Sequence, residues 1–225
     1  LLGKRKGYPT EPMPPHSLTM TMIGTGLLWV GWFGFNAGSE LEADGVAGLA
    51  MINTFVATAA GGLAWMVVEK LAGHKGSALG FCSGVIAGLV AVTPAAGNSG
   101  PFGAILLGII ASVVCYFVVS KVKTKLGFDD SLDAFGIHGV GGIVGAIGTG
   151  IVYSPALGGP GDAAEYVMGA QVTTQIIAVL VAIAWATVGT LIAGLLVKFT
   201  IGLRVDEETE VNGLDISEHG ERAYN

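Results

Sequence analysis

Charge is what this sequence has least of. Asp, Glu, Lys and Arg make up 12% of the chain, about half the share a soluble domain carries, so there is too little polar surface to clothe a water-soluble fold. The basic residues form no extended face for a phosphate backbone, which argues against nucleic acid as a partner. Cysteine is nearly absent: Cys82 and Cys115 both fall within apolar runs. With no C-x-x-C and no cysteine and histidine cluster, neither structural zinc nor a disulfide framework is expected. Nucleophile elbow, H-E-x-x-H, P-loop and paired-carboxylate spacings are all missing as well. An enzyme is therefore not expected, nor any cofactor or metal. The first residues, L-L-G-K-R-K-G-Y-P-T-E-P, lack the order of a signal peptide and read as the middle of a longer protein or its processed end.

What is present in excess is apolar. Hydrophobic residues reach 52% and mean hydropathy is +0.67, the composition of an integral membrane protein. Glycine stands at 37 of 225 residues without a G-X-Y period, which suggests helices packed closely through small residues. Residues 1–16 are polar and broken by Pro9, Pro12, Pro14 and Pro15, so they read as a linker. Six apolar segments come after it, at 17–39, 45–68, 77–97, 101–120, 133–153 and 166–200. Each has at least about 20 residues, enough to cross a hydrocarbon core about 30 Å thick as a helix. The fold class expected is an all-α polytopic membrane protein of six transmembrane helices, ending in a polar, acidic tail at 201–225.

If the six segments alternate across the bilayer, all 11 lysines and arginines fall on one side. Lys4, Arg5 and Lys6 precede the first span, Lys70 and Lys75 follow the second, and Lys121, Lys123 and Lys125 follow the fourth. Lys198, Arg204 and Arg222 end or follow the sixth. Loops 40–44, 98–100 and 154–165 hold no basic residue, so the positive-inside rule predicts that both ends of the chain are cytoplasmic. Glu40, Glu42, Asp44, Asp162 and Glu165 make the outer loops acidic. That favours cations near the surface, or reflects only the topological exclusion of Lys and Arg.

The stretch 133–151, D-A-F-G-I-H-G-V-G-G-I-V-G-A-I-G-T-G-I, carries His138, the one ionisable side chain well inside an apolar segment. An ionisable group in a bilayer is costly and marks a functional site by default. The alternative is a core histidine satisfied by a carbonyl or a buried water. Glycines around it allow close helix approach, and Asp133, near the helix start, suits the positive end of the dipole and a capping role. In the first span Trp32, Phe35 and Ser39 are spaced three and four apart and share one face near the outer end. Two readings stand: a cation receptor of aromatic faces and a hydroxyl, or an interfacial aromatic belt. Thr93-Pro94 interrupts the third span, as a vestibule lining or as a simple kink.

These stretches, with A-x-x-N-T-F-V-A-T-A-A at 50–60, C-S-G-V-I-A-G-L-V-A-V-T-P-A-A-G at 82–97 and the tail G-L-D-I-S-E-H-G-E-R-A-Y, resemble the ammonium transporter (Amt/Mep/Rh) family in its bacterial or archaeal Amt branch. Family members have eleven transmembrane helices, five and five related by an inverted repeat. The resemblance implies that this chain corresponds to helices six to eleven and that an N-terminal half is missing from it. It implies His138 as the second of two pore histidines, Phe35 as one of two gate phenylalanines, and Ser39 as part of an outer ammonium-recruitment site. Trp32 and Thr93 match pore and vestibule linings, and Asp133 a structural acid beside the pore. The other histidine, the other phenylalanine, a cation-binding tryptophan and a buried aspartate would lie in the missing half.

The implied function is passage of ammonium or ammonia across the cell's inner (plasma) membrane. The alternative is an ammonium sensor on the same scaffold. Gly213, Asp215, His219, Gly220 and Glu221 fall in the family's regulatory tail motif. That implies a homotrimer coupled through its tails and a PII-type signal protein as partner.

Overall fold

The computed structural model describes residues 2–222, and it divides into two compact units, Met13–Leu180 and the paired segments Leu1–Pro12 and Val181–Asn225. Among the described residues every regular element is helical. In chain order these are α1 (Leu18–Ala37), α2 (Gly45–Leu71), α3 (Ala78–Val92), α4 (Pro101–Phe117), α5 (Lys123–Leu126), α6 (Val140–Val152), α7 (Met168–Thr200), α8 (Glu207–Asn212) and α9 (Leu214–Ser217). Six helices are long and apolar enough to cross a membrane: Leu18–Glu40, Gly45–Leu71, Ala78–Ala95, Pro101–Leu126, Ala134–Val152 and Met168–Thr200. The protein is thus a multi-pass, all-α membrane protein.

Local chemistry sets the helix starts. Ser17 Oγ accepts the Met20 N–H at 3.3 Å, Asp44 Oδ1 accepts those of Val46 and Ala47 at 3.0 and 2.9 Å, and Ser77 Oγ accepts that of Gly80 at 2.8 Å. Each satisfies backbone donors that a helix leaves open at its N-terminus. Pro101 opens α4 at a position where its missing N–H is harmless. The fourth span runs beyond the residue 120 expected from hydropathy. A π-helical turn, Val118–Val122, carries it into α5, and Gly127 ends it in the left-handed region at φ 65°. The three lysines there lower hydropathy without interrupting backbone hydrogen bonding, so apolarity ends before the helix does.

Small residues govern the packing of the larger unit. A Cβ added at Gly88 would lie 2.5 Å from the Ala57 carbonyl oxygen, and one at Gly84 2.5 Å from that of Gly61. Backbone of α2 therefore lies directly on backbone of α3, the close approach that bilayer helices use in place of a hydrophobic driving force. Trp65, Val85, Leu89, Cys115, Tyr116 and Ile137 fill one buried cluster around this seam. Polar side chains tie these helices together as well. Ser112 Oγ donates to the Gly61 carbonyl at 2.8 Å, and Asn36 Nδ2 to Thr54 Oγ1 at 2.9 Å. The fully buried Asn53 donates to the carbonyls of Ala96 and Ser99 at 2.8 and 2.6 Å, pinning the connection between α3 and α4.

In the smaller unit the segment before Pro12 is non-helical and meets the start of the tail. Arg204 donates to the Lys4 carbonyl at 2.8 Å and pairs with Glu210. Lys6 Nζ lies 2.8 Å from Glu207 Oε2, and its N–H donates to Glu210 at 3.1 Å. The Arg204 hydrogen bond, first, and the Lys6 N–H hold the Glu210 carboxyl below its ordinary range. Asp206 caps α8 through the Thr209 N–H at 2.9 Å, which lowers its pKa as well.

Candidate functional site

At the C-terminal end of α1 the aromatic residues are held in a fixed arrangement. Trp32 Nε1 donates to Thr93 Oγ1 at 2.8 Å, and Thr93 Oγ1 donates to the Leu89 carbonyl at 2.7 Å. Thr93 sits where α3 tightens into the 3-10 turn Thr93–Ala95, with Pro94 inside it, so the interruption in the third span brings a hydroxyl against the first. Trp32 meets Phe35 edge to face, ring centroids 5.6 Å apart at 65°. Both line an open apolar hollow of about 400 Å³ together with Leu27, Leu28 and Gly31. Phe35 is 60% exposed, so its ring is not core packing within the described residues.

Ser39 lies in the 3-10 turn Gly38–Glu40 that ends this helix. Its hydroxyl donates to the Phe35 carbonyl at 2.5 Å. With its one proton committed, Ser39 Oγ presents only acceptor lone pairs. Trp32, Phe35, Ser39 and Thr93 are thus linked by one ring contact and two hydrogen bonds.

His138 lies in a π-helical turn, Ala134–Gly139, that leads into α6. Its side chain is exposed. Among the described residues no hydrogen bond or ring contact joins it to Trp32, Phe35, Ser39 or Thr93. The surrounding turn is firmly held: the Cys115 Sγ–H points to the Ile137 carbonyl at 3.8 Å, and Gly136 and Ile137 are buried.

Asp133 does not cap this helix as its position suggested. It is in the left-handed region at φ 54° and makes no capping hydrogen bond. Its carboxylate pairs instead with Lys123, while Asp130 Oδ2 accepts the Gly136 N–H at 3.0 Å and takes the capping role. The reason is geometric: a left-handed residue directly before the turn aims its side chain away from the helix's open N–H groups, and Asp130, further back along the loop, reaches them. Lys123, Asp130 and Asn53 are the residues that sequence reading passes over. Lys123 is visible there only as one of three basic residues after a span.

In the tail, Gly213 adopts φ 98° between α8 and α9, and a Cβ there would lie 2.8 Å from Asp215 Oδ1. The Glu221 N–H donates to the Asp215 carbonyl at 2.9 Å and the Gly220 N–H to that of Ile216 at 3.1 Å. Gly213, Asp215, Gly220 and Glu221 therefore form one folded turn with His219 on it.

The structure defines a helical membrane protein with an aromatic-lined apolar hollow at the C-terminal end of α1. The sequence profile of the Ammonium Transporter Family matches residues 1–224, and the chain belongs to that family. An "Ammonium transporter" of Aquifex aeolicus is 49% identical over 226 residues, covering 100% of this chain and 52% of that protein. One of Bacillus subtilis is 44% identical over 225 residues, covering 100% and 55%. Among solved structures, a "Sensor Amt Protein" superposes with a TM-score of 0.82 at 30% identity, over 90% of this chain and 49% of that one. Mep2 of Saccharomyces cerevisiae gives 0.80 at 35% identity, over 92% and 49%. The chain spans about half the length of the curated relatives it matches, and those relatives are named as transporters, not enzymes.

Proposed function

We propose that this chain supplies one half of a pore that passes ammonium or ammonia across a membrane, the other half being an N-terminal portion that its relatives carry. The observation that supports the reading is the arrangement of Trp32, Phe35 and Ser39 at the C-terminal end of α1. An indole fixed by Thr93 stands edge to face with Phe35 over an apolar hollow, beside a serine whose only free valences are acceptors. A desolvated cation on such aromatic faces gains about 2 kcal/mol, less where water reaches it.

In this reading ammonium is recruited at Ser39 and the aromatic faces and passes Phe35 into an apolar path. There the charged form is disfavoured, so ammonium gives a proton to the free nitrogen of a pore imidazole, which passes it onward, and neutral ammonia moves on. His138, with one donor and one acceptor when neutral, hydrogen-bonds the passing ammonia beside a second histidine from the other half. The tail motif, Gly213, Asp215, His219, Gly220 and Glu221, regulates from the cytoplasmic side, coupling subunits of a homotrimer and meeting a PII-type protein.

The experiment is ammonia flux into proteoliposomes that hold this chain with its N-terminal half, monitored by a pH dye inside the vesicles. Flux above that of protein-free liposomes, reduced by Ser39→Ala at low ammonium, is the expected result. Ammonium binding without any flux would instead mark a sensor.

A further inference from the structure

His138 owes its placement to a distortion of the backbone, and that distortion has an identifiable holder. Two π-helical turns occur in the described residues, Val118–Val122 and Ala134–Gly139, and they lie against each other. A Cβ added at Gly136 would come 2.7 Å from Val119 Cγ2, so only glycine lets the first turn seat on the second. Between them the chain reverses at Gly127 and returns to Asp133, whose φ of 54° is unfavourable for a residue with a Cβ, less so for Asp than for most.

Lys123 closes this loop. Its ammonium pairs with Asp133 and also donates to the Asp130 carbonyl at 3.3 Å. Asp130 in turn accepts the Gly136 N–H at 3.0 Å, inside the turn that carries His138. The pair is only partly open to solvent, the Lys123 and Asp133 side chains being 20% and 25% exposed, so it is screened less than a surface ion pair.

A π turn winds the chain more loosely than an α-helix does, so a side chain within it points in a different direction from one on a continuous α-helix. We propose that Lys123 is a positioning residue for His138: by fixing Asp133 in its left-handed conformation and Asp130 at the Gly136 amide, it holds the π turn and so the direction of the imidazole. The role of His138 in ammonium passage rests on the transport reading. The dependence of its orientation on Lys123 does not.

The test uses the transporter complete with its N-terminal half, in liposomes, with ¹⁵N-labelled histidine observed by solid-state NMR. The His138 signal is assigned by its loss in His138→Gln. His16, His74 and His219, the other histidines of this chain, are assigned by substitution in the same way, which separates them from any histidine of the N-terminal half, and these three serve as internal controls. Lys123→Met and Asp133→Asn, the second keeping a residue tolerant of the left-handed region, are both expected to shift the His138 signal while the other three stay in place. Ammonium flux falls about tenfold, within the range that an ångström of misplacement costs a positioned group. A His138 signal unmoved in both variants, or all four signals shifting together, overturns the proposal. Absence of flux in the unmutated protein would defeat the transport reading alone, because the NMR signal still decides the role of Lys123.

Discussion

Trp32 and Thr93 are joined across two helices: the indole N–H donates to the threonine hydroxyl at 2.8 Å, and that hydroxyl is itself tied to the Leu89 carbonyl at 2.7 Å. One side chain thus sets both the position and the rotation of the ring that meets Phe35. Thr93→Val keeps the shape and removes the acceptor, leaving a part-buried indole N–H unpaired. A loss of about 1–3 kcal/mol is expected, read by thermal unfolding, with lower ammonium flux, while Thr93→Ser keeps both near native. In a Trp32→Phe background the valine substitution should add almost nothing, since the partner it would strand is already gone.

Legibility in the sequence differs from residue to residue. The spans are readable because hydropathy and the one-sided distribution of Lys and Arg are summed over many positions. The end of the fourth span is not, because backbone hydrogen bonding continues through Val118–Val122 where apolarity stops. Trp32, Phe35 and Ser39 are readable as one helix face. The anchor from Trp32 to Thr93 is not, because it crosses 61 residues of chain. The place of Asp133 in the sequence suggests a cap, and its left-handed backbone sends the carboxylate to Lys123 instead.

Asn53 holds the carbonyls of Ala96 and Ser99 in a site that is fully buried. Asn53→Ala strands both acceptors, and roughly 2–4 kcal/mol of stability is expected to go. Asn53→Asp, which replaces the donor with an acceptor facing two carbonyls, should be worse. Detergent-solubilised thermal unfolding ranks the two, and an aspartate variant as stable as native would contradict the account.

Gly88 lies against backbone, its added Cβ 2.5 Å from the Ala57 oxygen. The neighbour is a main-chain atom and cannot swing aside, so Gly88→Ala forces α2 and α3 apart. The expected destabilisation is about 1–3 kcal/mol, again read by thermal unfolding.

The clasp between residues before Pro12 and α8 is electrostatic and exposed. The folded-state pKa of Glu210 is below its ordinary 4.5, so its contribution is fully present above that value and is lost as pH falls through the lowered one. Hydrogen-exchange protection across 204–212, taken relative to the intrinsic rate at each pH, should be high at neutral pH and fall as the medium is acidified well below pH 4.5. Salt should act in the same direction, the screening length shrinking from about 8 Å at physiological strength to about 3 Å at 1 M. Arg204→Gln should abolish the difference.

The most direct test of the transport reading is current on a solid-supported membrane. Proteoliposomes holding this chain with its N-terminal half receive an ammonium jump, with native protein and with His138→Ala, while neutral ammonia flux is measured in parallel. The account predicts ammonium-specific passage in the native protein that the substitution abolishes or alters in selectivity. Native protein that binds ammonium yet gives neither current nor flux, or a His138→Ala variant unchanged in rate and selectivity, would contradict it.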